Sequence, residues 1–88
     1  DNLQQAIRYD RNMPLSWRLA ATAYGRSGDL GMSALALAEY SLLLGRHLDA
    51  EGQAKKAQRL LKENEPSWLR AQDIASTAER ARRKENDR

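Results

Sequence analysis

Residues 31–44 constrain this chain more than any other stretch. Met32, Ala34, Leu35, Ala36, Leu37, Ala38, Tyr40, Leu42, Leu43 and Leu44 leave no polar face at helical spacing. A surface helix of a globular domain shows only an apolar stripe, so a segment apolar nearly all round has to be covered on at least two sides. It is far shorter than the ~20 residues a membrane span requires. The cover must therefore come from the rest of the protein, which makes this segment the centre of the domain. Glu39 is its one charge. A buried carboxylate persists only when paired, so Glu39 either faces a binding groove or is satisfied by a neighbouring Arg or backbone amide.

The covering elements are helices too. The chain has 14 Ala and 13 Leu but only two Ile, two Thr and no Val or Phe. Sheets favour β-branched and aromatic side chains, whereas Ala, Leu, Gln, Glu, Lys and Arg lose little entropy in a helix. The fold class is all-α, and 88 residues suffice for one small domain. Leu3, Ala6 and Ile7 suit the end of a helix that closes before Pro14. Ser16 or its neighbours can cap the next helix, where Trp17, Ala20, Ala21 and Tyr24 fall on one face at i, i+3, i+4, i+7. Trp17, Tyr24 and Tyr40 read as packing residues. A stripe at Ala50, Ala54, Ala57 and Leu61 opposes a basic face of Lys55, Lys56, Arg59 and Lys62, with Gly52 as a possible close-packing point. Residues 62–66 break that helix, and a last one follows with Ala71, Ile74, Ala75, Ala78 and Ala81 inward. Gly28 and Gly45, each at a helix end, lie 17 residues apart, and Trp17 and Trp68 lie 51 apart, three times that interval. One helix and turn per 17 residues is half of a 34-residue helical-hairpin period.

Catalytic chemistry is missing from the pattern. His47 is the single histidine and there is no cysteine, so no imidazole pair or thiolate site for a metal exists. No HExxH, phosphate-cradling Gly-rich loop or GxSxG is present. His47 reads as a surface or cap residue. The formal charge of +3 partly reflects Arg80, Arg82, Arg83, Lys84 and Arg88 at the end of the chain. No aromatic follows Trp68 to stack a base, so nucleic acid is not an expected partner, and nor is a membrane span.

The run Trp17-x-x-Ala20-Ala21-x-x-Tyr24-x-x-x-Gly28-Asp29-Leu30 resembles the first helix and turn of a tetratricopeptide (TPR) repeat, with Ala20, Ala21 and Leu30 in place of the family's Leu, Gly and aromatic. Leu37-Ala38, Gly45-Arg46-His47, Ala50 and Ala57 resemble a second, weaker copy. Over about residues 1–80, the Trp17 block, Ala36-Leu37-Ala38-Glu39 and Ala57-Gln58-Arg59-Leu60-Leu61 are similar to the C-terminal TPR region of bacterial BepA-like envelope zinc metallopeptidases, relatives of the CaaX-processing proteases.

That resemblance implies antiparallel hairpins in a right-handed superhelix. It implies a periplasmic location and a role in docking protein or peptide partners, including outer-membrane assembly components or the parent's own protease domain. The zinc of such an enzyme belongs to a separate peptidase domain carrying HExxH, so this segment is expected to hold no cofactor and to be non-catalytic. Carried onto matching positions, the concave groove is lined by Arg18, Thr22 and Arg26 from one helix and Leu35, Glu39 and Leu42 from the next. The expected organisation is a preceding repeat's tail over 1–12, a helical domain over 13–82 and a charged, disordered tail over 83–88. The alternative is a structural segment that self-associates without an external ligand.

Overall fold

In the computed structural model, residues 12–87 are described. Among them are four helices and no strand: α1 (Pro14–Arg26), α2 (Leu30–Leu43), α3 (His47–Leu60) and α4 (Pro66–Asn86). Successive helices pack as antiparallel hairpins, and α2 also touches α4. The all-α expectation holds, with α2 central. Residues 1–11, including the helix end expected at Leu3, Ala6 and Ile7, lie outside the described residues.

The glycine beat has a concrete cause. After α1, Gly28 adopts φ +85, its amide donates to the Gly25 carbonyl, and the Asp29 amide donates to that of Tyr24. After α2, Gly45 adopts φ +74, its amide donates to Leu42 and that of Arg46 to Ser41. Both are Schellman closures, in which a left-handed residue lets two amides turn back onto the last carbonyls. Asp29 then caps α2 by accepting from the Met32 amide at 3.2 Å. The third connection departs from this pattern. Leu61 is extended, and Asn64 takes the left-handed conformation at φ 69 before Pro66 opens α4.

The α1 start is corrected. Ser16 does not cap it: the helix begins at Pro14 with Met13 extended before it and no side-chain cap. A residue preceding proline is pushed to extended geometry, and proline itself suits the first helical position. Ser16 is instead inside the helix and buried.

Two clusters make the core. Ala20, Ala21 and Ala36 pack with half-buried Trp17, Tyr24 and Leu37 between α1 and α2. Ala34, Leu35, Ala38, Ala50, Ala54, Ala57, Ala71, Ile74, Ala75 and Ala78 pack among α2, α3 and α4. Alanine seams let helix backbones approach closely, near the short end of the usual ~8–10 Å separation. Gly31 leaves room for the end of α3: a Cβ there would lie 2.8 Å from Leu61 Cδ2 and 3.4 Å from the Leu60 carbonyl carbon. Gly52, by contrast, faces open space and serves no close packing.

The expected disordered tail is also corrected, because α4 continues to Asn86. Its last turns are held by side chains: Arg82 Nε donates to Glu51 Oε1 at 3.0 Å, His47 Nδ1 lies 2.6 Å from Glu85 Oε1, and Arg83 pairs with Glu79 at 2.7 Å.

Candidate partner-binding surface

The six residues expected to line one groove divide between surface and interior. Arg18, Thr22 and Arg26 are exposed along α1 at intervals of four, one face of the helix. The Arg18 guanidinium lies 5.9 Å from the centre of the Tyr40 ring, a cation–π contact. The Thr22 hydroxyl donates to the Arg18 carbonyl. Leu35, however, is only 6% exposed and belongs to the α2–α3–α4 cluster, and Leu42 is half-buried against the same cluster. Neither offers a partner an open surface. Both occupy the side of α2 that α3 and α4 cover, and a groove on that face conflicts with the all-round apolarity of 31–44.

Glu39 is buried, and Arg70 from α4 grips both its oxygens: Nε donates to Oε2 at 2.8 Å and Nη2 to Oε1 at 2.7 Å. Of the two roles open to Glu39, this is the internal one, with an arginine as partner. The bond to Glu39 raises the Arg70 pKa above its ordinary value. A second buried carboxylate, Glu51, accepts from Arg82 and lies 3.1 Å from Lys55 Nζ. Those two cations, Arg82 first, hold its carboxyl below the ordinary carboxylate range. Both guanidinium clamps join residues 31 apart, tying the start of α4 to α2 and its end to α3.

The described residues leave apolar and basic surface outside these clamps. On α1, Leu15 and Leu19 are half or more exposed, and Leu43, Leu44 and Leu48 are exposed around the α2–α3 turn. Between the C-terminal half of α3 and the start of α4 lies an open recess lined by Lys55, Gln58, Arg59, Leu61, Glu63 and Trp68. The basic face of α3 and Trp68 are each legible in the sequence; their meeting depends on how the 61–65 turn folds α4 back. Among the described residues no group of three His, Asp or Glu side chains is placed to hold a metal, and no helix is long and apolar enough to cross a membrane.

No protein-family model, curated protein or solved structure matches the chain.

Proposed function

We propose that this chain is a non-catalytic protein-docking module, the TPR-like region of a periplasmic zinc metallopeptidase of the BepA-like kind. The observation that carries the reading is the one-sided attachment of α1. Among the described helices α1 packs only on α2, and its outer face presents Leu15 and Leu19 beside Arg18, Thr22 and Arg26. Adjacent exposed apolar residues bordered by polar ones are typical of interaction surfaces. Hairpins closed by two matching glycine turns and the similarity of the Trp17 block to a TPR helix add support. Zinc and the hydrolytic groups would belong to another part of the parent chain.

Deleting residues 12–87 from the full-length parent tests this. Partner co-purification is expected to be lost while zinc-dependent cleavage of a small unstructured peptide persists. Unchanged partner binding and unchanged turnover of protein substrates would overturn the proposal. Light scattering of the isolated chain separates it from the self-association reading: a monomer at high concentration favours docking, and a concentration-dependent dimer favours self-association.

A further inference from the structure

We propose that the recess between α3 and the start of α4 is the docking site for an acidic peptide segment carrying an apolar side chain. The inference rests on the docking-module reading and adds to the α1 face a second, separate site with a partner of its own chemistry. Four cations, Lys55, Lys56, Arg59 and Lys62, fall between residues 55 and 65 against two carboxylates, Glu63 and Glu65. Lys55 shares Glu51 with Arg82, and Lys62 reaches Glu65 only at 3.9 Å. Arg59 forms no ion pair with any described side chain, and its planar fork of donors matches a carboxylate.

Lys55 and Arg59 stand one helical turn apart, roughly 5–6 Å between their Cβ atoms. Two carboxylates two residues apart on an extended peptide are separated by roughly 6.5–7 Å and reach both cations. Half-buried Trp68 and Leu61 supply an apolar floor beside them. An indole suits such a place because it combines a large apolar face with one N–H donor. Glu63 in the same wall discriminates between anions. A nucleic-acid backbone offers that carboxylate only repulsion, whereas a peptide brings N–H groups for it to accept. The recess thus fits a chain with carboxylates, amide donors and an apolar side chain.

The test is fluorescence anisotropy of a labelled short peptide of alternating Asp and Leu, titrated with the 88-residue chain. Saturable binding is expected, weakened about tenfold or more by Arg59→Glu and by added salt. Arg80→Glu, an equal charge change at an exposed position of α4, is expected to leave it intact, and the same peptide with Lys for Asp should not bind. Equal weakening by both substitutions would reduce the effect to general charge and overturn the site. So would a Kd weaker than about 1 mM, or tighter Arg59-dependent binding of single-stranded oligothymidylate. If the peptide fails while deletion of 12–87 still abolishes partner association, this recess is excluded and the docking module stands.

Discussion

Between α1 and α2, three buried alanines are ringed by the half-buried Trp17, Tyr24 and Leu37. Among α2, α3 and α4, eight alanines close around Leu35 and Ile74, with Glu39 and Glu51 clamped by Arg70 and Arg82 at the edges. The first interface uses large rings that stay partly wet and holds α1 from one side. The second uses small side chains that bring backbones together, and its members support one another from several directions. Small side chains bury little area each, at roughly 25 cal/mol per Å², so the alanine interior gains from close contact and from paired charges instead. An aromatic interface tolerates looseness, and an alanine interface does not.

Several substitutions probe that contrast. Ile74 is the largest fully buried side chain, and Ile74→Ala is expected to cost about 3–4 kcal/mol, because it opens a cavity where nothing can collapse. A circular-dichroism melt displaced by only a degree or two would mean the interior is not tightly packed.

Trp17→Ala is expected to cost less, about 2–3 kcal/mol, since the ring is only half-buried. Its signature is local. Hydrogen exchange should lose protection in α1 while the α2, α3 and α4 amides keep theirs. Uniform loss across all four helices would show one cooperative unit and erase the distinction between the two regions.

Glu51→Gln is expected to cost about 1.5–2 kcal/mol at neutral pH, the lower part of the range for hydrogen bonds to a charged group. The carboxyl has a folded pKa below its ordinary value of 4.5. Its contribution is therefore complete above that value and disappears as pH falls through the folded one. As pH falls below 4.5 the wild type should lose stability more steeply than the variant, and parallel acid melts would remove Glu51 from the account.

The smallest effects concern the turns. Gly28→Ala and Gly45→Ala should each cost about 1 kcal/mol, because their left-handed φ penalises a Cβ. Asn64→Gly, at the third turn, should be neutral or stabilising by a few tenths of a kcal/mol. Equal melting temperatures for Gly28→Ala and wild type would contradict the Schellman closure.

Much of this architecture is legible in the residues alone. The apolarity of 31–44 names the central helix, Gly28 and Gly45 mark two helix ends, and residues 62–66 mark the break before the last helix, which the structure starts at Pro66 itself. These signals are local, since a helix period or a left-handed turn depends on neighbours along the chain. The groove assignment failed at Leu35, Glu39 and Leu42 because helical spacing says which residues share a face, not which helix that face meets. The charged end looked like a solvated tail for a similar reason. Its partners, Glu51 and His47, are more than 30 residues away in sequence.

Sequence by itself determined that this chain is all-helical, where two of its turns fall, and that α2 must lie inside. Only the tertiary structure decided that Arg70 reaches Glu39, that Arg82 reaches Glu51, and that Trp68 closes a recess against Lys55 and Arg59. Those contacts depend on the rotation and crossing of whole helices, which packing of the alanine seams fixes and which no single segment encodes.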